Sequence, residues 1–177
     1  MKRSFFLAAV LAFFTLQGFS QEDSEGVKWL TIQEALKLNK QEPRKFYVDV
    51  YTDWCGWCKK MDQTTYKDPV IAHILNTKFY PVKFNAESKE PVTVAGKTFV
   101  NDGSSSRSPH QLAVALLQGK MAYPSVAYLD EKFQLLTVVP GFFTAKNLEP
   151  ILQYFATDSY KTEDWQDYQK NFVSEIK

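Results

Sequence analysis

The sequence predicts an α/β fold in which helices cover both faces of a central mixed β-sheet. The first observation is a β-branched and aromatic run at residues 46–51, which is typical of a buried central strand. The second is that strand patterns alternate with helical patterns along most of the chain. The third is a pair of strand patterns, 125–129 and 134–139, joined through residues 130–132 at the spacing of a tight hairpin.

The first twenty residues have the three-part composition of a secretory signal peptide. Lys2 and Arg3 are positive, residues 5–16 are apolar, and Ser20 ends a less hydrophobic stretch. An uncleaved membrane anchor is the alternative, but this apolar run is shorter than the roughly 20 residues that span a bilayer. We therefore expect cleavage near Ser20. The remaining chain, 21–177, is expected to be one domain with a sizeable core that is soluble and exported, either periplasmic or secreted.

Charge and cysteine content narrow the function classes. The formal net charge is +1, and loss of Lys2 and Arg3 with the signal peptide changes it by two units to −1. A near-neutral chain gives no electrostatic reason to expect nucleic acid as a partner. The two cysteines, Cys55 and Cys58, are separated by two residues. A disulfide across so short a loop removes little entropy from the unfolded chain, which favours a chemical role for the pair.

Local signals define the first helices and strands. Thr31 and Glu34 form a capping-box pattern that begins a helix before the central strand. A helical pattern at 59–65 follows the cysteines. Asp68 and Pro69 then predict the N-cap and first turn of a helix that runs to about residue 75. A strand is expected at 79–85.

The 86–108 segment is the least regular part of the chain and is interpreted as an insertion. Residues 92–100 alternate around Ala95 and Gly96, which predicts a β-hairpin. Residues 101–108 are rich in Gly, Ser and Asn, which predicts a loop, and a helix is expected at 109–118.

The C-terminal part is predicted to be helical after the last strand. One helix is expected at 145–155, followed by a helical extension at about 160–177. Apolar side chains recur there every three or four residues, which predicts an amphipathic helix docked on the domain: Trp165, Tyr168, Phe172 and Ile176.

The cysteine spacing suits thiol–disulfide exchange. A helix that begins at the motif directs amide hydrogens and its positive dipole end at Cys55, which lowers the pKa of that thiol. Cys55 is therefore the expected nucleophile, and Cys58 is the resolving thiol. The same spacing is half of a zinc site, but the only histidines, His73 and His110, lie in unrelated segments. We expect no metal site.

Residues 46–59, FYVDVYTDWCGWCK, resemble the active-site strand and helix start of the thioredoxin family. The resemblance is close to exported thioredoxin-like reductase domains such as the C-terminal domain of DsbD, and it extends to about residue 152 except in the 86–108 segment. It implies a thioredoxin fold and thiol–disulfide oxidoreductase activity with no cofactor beyond the Cys55–Cys58 disulfide. Trp57 stands where the commonest family motif has proline, which leaves the redox potential open.

The resemblance also assigns roles at single positions. Asp49 matches a buried carboxylate that assists proton transfer from the resolving cysteine, and Lys83 matches the lysine that accompanies it. Tyr123 and Pro124 match the residue and the cis-proline that face the disulfide, and Gly141 matches the glycine after the last strand. A cis-proline there leaves backbone groups free to pair with a substrate segment.

Simpler interpretations exist for three of these residues. Asp49 lies in a strand too apolar for a solvated carboxylate, which favours the functional role. Lys83 is equally well explained as a lysine whose stem follows the sheet margin. Pro124 is also explained as an ordinary trans turn proline, the usual state of proline.

Trp54, Gly56 and Trp57 complete the predicted substrate-binding set. We expect Trp54 to pack beneath the motif and Trp57 to be partly exposed as an apolar docking surface. The alternative is that both tryptophans serve only in packing.

The favoured function is a monomeric, exported reductase or disulfide exchanger. Its partners are disulfide-containing protein substrates and a membrane protein that donates electrons. The absence of histidine between the cysteines favours an electron donor over a strong oxidant. One alternative is a binding module in which the 86–108 segment recruits a partner. Another is a copper-binding protein that uses both thiolates, with Met61 as the nearest additional soft ligand.

Overall fold

A computed structural model describes residues 26–177. The predicted signal peptide, 1–20, lies outside the described residues. Within 26–177, no helix combines the length and apolar character needed to cross a bilayer. The elements in chain order are α1 (Ile32–Asn39), β1 (Lys45–Tyr51), α2 (Gly56–Gln63), α3 (Pro69–Lys78), β2 (Phe79–Asn85), β3 (Val92–Val94), β4 (Lys97–Phe99), α4 (Gln111–Leu116), β5 (Ser125–Leu129), β6 (Leu135–Pro140), α5 (Ala145–Ala156) and α6 (Trp165–Asn171).

The central sheet is mixed and has the strand order β2-β1-β5-β6. Strand β1 is parallel to β2 and antiparallel to β5, and β6 is antiparallel to β5. Strand β1 is buried from Lys45 to Val50, as its apolar sequence predicts. Pro81 is tolerated in β2 because β2 is the edge strand of this sheet, where a missing amide costs little. The predicted α/β architecture with a central mixed sheet is confirmed.

Helices cover both faces of this sheet. Phe46, Val48 and Val50 join the core under α1, α4 and the β3–β4 hairpin. Tyr47 lies in a second core formed with α3 and α5. Because side chains alternate along a strand, Asp49 projects to the same face as Tyr47. The predicted active-site carboxylate therefore lies on the face to which α2 contributes Met61.

The local capping and turn signals are confirmed. Thr31 and Glu34 form both hydrogen bonds of the capping box at the start of α1. Asp68 caps α3, with Pro69 in its first turn. The β3–β4 turn places Ala95 and Gly96 at positive φ, 49° and 81°, as a two-residue hairpin turn requires.

The C-terminal extension differs from the prediction. Helix α6 ends at Asn171, so an amphipathic helix that continues to residue 176 is wrong. Beyond the helix, the Ser174 hydroxyl and the Glu175 amide both donate to the buried carboxylate of Glu149 on α5, which holds this non-helical segment on the domain. Docking itself is as expected, since Trp165 and Ile176 pack against the core of the α3 and α5 face.

Candidate active site

The two cysteines form a disulfide at the start of α2. Their Cα atoms are 5.3 Å apart. Cys55 is the N-cap residue of the helix, and its Sγ accepts a hydrogen bond from the Cys58 amide at 3.1 Å. Both are buried, Cys55 at 5% exposure and Cys58 at 1%, so Cys55 presents the more accessible sulfur. Gly56 is exposed. Apart from its chain neighbours and the backbone of its own helix, nothing lies within 4 Å of the place a Cβ would take, which leaves this side of the motif open.

The helix start favours a thiolate at Cys55 once the disulfide is reduced. The amide of Cys58 already points at the sulfur, and the first turn of α2 contains no acidic residue. Negative charge at a helix N-terminus is stabilised by the unpaired amides and the dipole, which lowers a thiol pKa. The arrangement that the cysteine spacing predicts, with Cys55 at the N-terminus of a helix, is therefore present.

Asp49 and Lys83 form a buried ion pair across β1 and β2. They occupy paired register positions, and Lys83 Nζ lies 2.6 Å from Asp49 Oδ2. Burial raises the pKa of the Asp49 carboxyl, and the Lys83 ammonium opposes this rise without cancelling it. The second oxygen, Oδ1, is buried without a hydrogen-bond partner. Asp49 is thus a carboxyl group able to exchange a proton nearer neutral pH than an exposed aspartate.

Asp62 is a third member of this network that our sequence reasoning missed. Its carboxylate also forms an ion pair with Lys83 Nζ, and its side chain is 40% exposed. Charged groups therefore run from the buried Asp49 through Lys83 to solvent. One signal was available, because Asp62 lies four residues after Cys58 on α2 and so shares its face of the helix.

Aromatic rings enclose the ammonium of Lys83. Its Nζ lies 4.9 Å from the ring centroid of Trp29 and 5.1 Å from those of both Tyr51 and Tyr66. Desolvation favours the neutral form of Lys83, but the Asp49 and Asp62 carboxylates outweigh it and raise the pKa of the ammonium. Lys83 is therefore a fixed positive charge and not a lysine stem that merely follows the sheet margin.

Trp54 does not pack beneath the motif, so that prediction is wrong. Its side chain is 53% exposed, because the indole N–H turns outward to donate to Glu87 Oε1 at 2.8 Å. Its ring stands edge-on to the ring of Tyr123, with the centroids 5.9 Å apart.

Trp57 is exposed, as expected. Its side chain is 62% exposed, and its ring centroid lies 5.1 Å from that of Phe142. Phe142 follows Gly141, which has a φ of 109° and donates its amide to the Pro124 carbonyl at 2.8 Å. The peptide bond between Tyr123 and Pro124 is cis. The contacts of Tyr123 and Phe142 with the two tryptophans bring the residues around Pro124 and Gly141 next to the cysteine motif.

The other side chains considered as metal ligands are Met61 and the two histidines. Met61 is 1% exposed and belongs to the core. His73 is exposed, whereas His110 caps α4 by accepting the Leu112 amide on Nδ1 at 3.0 Å. Across residues 26–177, the structure brings together no group of three or more His, Cys, Asp or Glu side chains suited to a metal ion.

Residues 17–174 match the Thioredox_DsbH family, DUF255, described as a protein family of unknown function. An uncharacterized protein of Archaeoglobus fulgidus is 34% identical over 104 residues, which are 56% of this chain and 78% of that protein.

Two longer proteins match over shorter stretches. Rat spermatogenesis-associated protein 20 is 32% identical over 73 residues, 41% of this chain and 9% of its own length. The thiol:disulfide interchange protein DsbD of Vibrio vulnificus is 39% identical over 41 residues, 23% of this chain and 7% of its own length. The chain therefore corresponds to a small part of each of these two proteins.

Solved structures share the fold. A DsbH oxidoreductase superposes with a TM-score of 0.56 at 16% identity, covering 80% of this chain and 92% of its own. A putative disulphide-isomerase from Bacteroides thetaiotaomicron gives 0.55 at 23% identity, covering 78% of this chain and 97% of its own. At these identities the likeness establishes the thioredoxin fold.

Proposed function

Because this chain belongs to the Thioredox_DsbH family and has a thioredoxin-like, disulfide-oxidoreductase-type fold, we propose that it is an exported enzyme that reduces or exchanges disulfide bonds in secreted proteins. One observation carries the proposal. The Cys55–Cys58 disulfide lies at the N-terminus of α2, with the Cys58 amide directed at the Cys55 sulfur. A disulfide so placed is poised for exchange.

The reaction follows from the two sulfur positions. In the reduced protein, the Cys55 thiolate attacks one sulfur of a substrate disulfide, and a mixed disulfide forms as the substrate S–S bond breaks. The departing substrate sulfur leaves as a thiolate and takes up a proton. The Cys58 thiolate then attacks the Cys55 sulfur, which restores the Cys55–Cys58 bond and releases the second substrate thiolate. Two electrons pass from the protein to the substrate.

The Asp49–Lys83–Asp62 network supplies the proton chemistry in this proposal. Cys58 is almost fully buried, so its proton needs an acceptor within the protein. Asp49 suits this task, because its pKa is raised and one of its oxygens has no hydrogen-bond partner. Lys83 holds the carboxylate in place, and Asp62 links the network to solvent.

Two aromatic pairs support the assignment of substrate binding. Trp54 with Tyr123 and Trp57 with Phe142 expose apolar surface beside the cysteines. An extended substrate segment is proposed to lie between them and to pair with backbone groups next to Pro124. The electron donor is proposed to be a membrane protein that carries a dithiol, on the basis of the predicted signal peptide and the partial likeness to DsbD.

Stoichiometric electron transfer tests the proposal. The purified protein, reduced and freed of reductant, should convert about one equivalent of an oxidised peptide to its dithiol. Cys58→Ser should accumulate a mixed disulfide with the peptide, and Cys55→Ser should react no faster than buffer. A binding module would instead keep its partner affinity in the double variant Cys55→Ser/Cys58→Ser, and that result together with no electron transfer would refute the proposal.

Sequencing the N-terminus of the exported protein tests cleavage near Ser20.

A further inference from the structure

The 86–108 segment reaches the active site at both of its ends. Near its start, Glu87 accepts the Trp54 indole N–H. Near its end, the guanidinium carbon of Arg107 lies 5.6 Å from the centroid of the Trp54 ring. Because Trp54 precedes Cys55, this segment forms one side of the surface around the reacting sulfur.

Internal hydrogen bonds hold both ends of the segment together. Asn101 Nδ2 donates to the carbonyls of Glu87 and Ser108, at 3.1 and 2.7 Å. Lys89 Nζ donates to Asn101 Oδ1 at 2.9 Å and to the Gly103 carbonyl at 3.0 Å. The neighbours of Arg107 are thus tied to Glu87, and the fold itself sets the position of Arg107 relative to Trp54.

Arg107 carries a charge that the described part of the chain leaves unpaired. Its side chain is exposed, and within residues 26–177 its guanidinium forms no ion pair. By contrast, Arg44 also stacks on an aromatic ring, that of Tyr80, but its guanidinium is paired with Glu42. A guanidinium presents planar pairs of donors that match a carboxylate.

We propose that Arg107 and Trp54 form a recognition subsite for a substrate segment that carries a carboxylate side chain close to its reacting cysteine. The carboxylate binds the guanidinium, and the apolar stem of the same residue packs on the exposed indole. Glu87 directs its carboxylate at the indole nitrogen and forms no ion pair with Arg107 in the described structure. The inference rests on the proposed function, since it names the substrate class of that site.

Matched peptides provide the test. A set of disulfide-bonded peptides, blocked at both termini so that the side chain is the only carboxylate, carries Asp, Asn or Lys at one position within two residues of a cysteine. The rate of reduction by the reduced protein is measured for each at low and high salt. An exposed ion pair contributes about 0.2–1 kcal/mol, so the Asp peptide should react about 1.4- to 5-fold faster than the Asn peptide at low salt. High salt should reduce this ratio.

Variants of single residues connect the preference to Arg107. Arg107→Gln should bring the Asp-to-Asn ratio close to one, and Arg107→Lys should retain part of it because the charge remains. Lys97→Gln is the control, because Lys97 lies in the same segment and over a ring, that of Phe99, at 4.7 Å. It should leave the ratio as it is in the unchanged protein.

Two results would overturn the inference in distinguishable ways. Equal rates for the Asp and Asn peptides, or an Asp-to-Asn rate ratio that Arg107→Gln leaves unchanged, would rule out the carboxylate subsite but not the reductase activity. If the reduced, unchanged protein reduced the peptides no faster than the Cys55→Ser variant does, the proposed function would be ruled out, and the subsite with it.

Discussion

Lys83 Nζ lies 2.6 Å from Asp49 Oδ2, between two parallel strands on the face of the sheet that α2 also contacts. The pair is almost entirely removed from water on the Asp49 side, where the carboxylate is 1% exposed. Ion pairs in such places are costly unless both partners are well placed. The pair is therefore weak evidence for stability, and the proposed function assigns proton transfer to it.

Asp49→Asn should slow the step in which Cys58 resolves the mixed disulfide, by about tenfold or more, because general base assistance contributes at least that much. In the unchanged protein this rate should rise with pH as Asp49 ionises, and the variant should lose that rise. Stopped-flow measurement of product release across pH 5–9 checks both. A variant with an unaltered rate and pH profile would exclude Asp49 as the base.

The same substitution gives a stability prediction of defined sign. Burial raises the pKa of Asp49 in the folded state, so its protonated form is favoured there. The stability that this raised pKa contributes to the folded state is present at low pH, and it is lost as pH rises through the folded pKa of Asp49. Asp49→Asn should therefore gain stability relative to the unchanged protein as pH increases. Urea unfolding of both proteins at pH 4 and pH 8 gives the difference between their free energies of unfolding at each pH. If the variant lost stability relative to the unchanged protein between pH 4 and pH 8, the raised pKa of Asp49 would be contradicted.

Asp62→Asn should shift the pH dependence of the resolving step to lower pH. The negative charge of Asp62 helps to raise the pKa of Asp49, so its removal lets Asp49 ionise earlier. The matched control is Asp53→Asn, since Asp53 contacts Asn85 and forms no ion pair with Lys83 in the described structure. An equal shift in both variants would assign the effect to general charge and not to the network.

Trp57→Ala should raise KM for a peptide disulfide about fivefold. The indole and Phe142 expose apolar surface to the substrate, and an interface anchor of about 1 kcal/mol corresponds to that factor. Val173→Ala, at a still more exposed apolar position far from the motif in the sequence, is the control. If kcat fell while KM stayed constant, Trp57 would act on the chemistry instead of on docking.

Glu149→Ala should destabilise the folded protein by about 1–3 kcal/mol, because two partly buried hydrogen-bond donors lose their acceptor. Its carboxylate accepts from the Ser174 hydroxyl and, at 2.7 Å, from the Glu175 amide. Glu175→Gln changes an exposed side chain and should have little effect. Urea midpoints compare the two, and equal stability of Glu149→Ala and the unchanged protein would mean that the C-terminal segment is not anchored there.

Features encoded by neighbouring residues were predictable from the sequence. The capping box of Thr31 and Glu34 and the turn at Ala95 and Gly96 are set by local backbone chemistry, so their spacing is sufficient evidence. The strand–motif–helix unit at Cys55 is also local, since an apolar strand and a helix start flank the cysteines directly.

Features that depend on distant partners were not predictable in the same way. Trp54 turns outward because Glu87, thirty-three residues later, accepts its N–H. Asp62 joins the buried ion pair only because Lys83 arrives from a strand beyond α3. The chain after Asn171 is held by Glu149, which lies on another helix and accepts the Glu175 amide. Such outcomes depend on tertiary contacts that local patterns do not specify.

The reduction potential of the Cys55–Cys58 pair tests the central claim most directly. The protein is equilibrated with glutathione buffers, and the fraction of the disulfide is measured after acid quenching and thiol alkylation. An electron donor should have a low potential, near the value of about −270 mV for thioredoxin. A potential near the value of about −120 mV for the strong oxidant DsbA would mean that the pair oxidises other proteins, and it would contradict the reductase assignment although the fold remained correct.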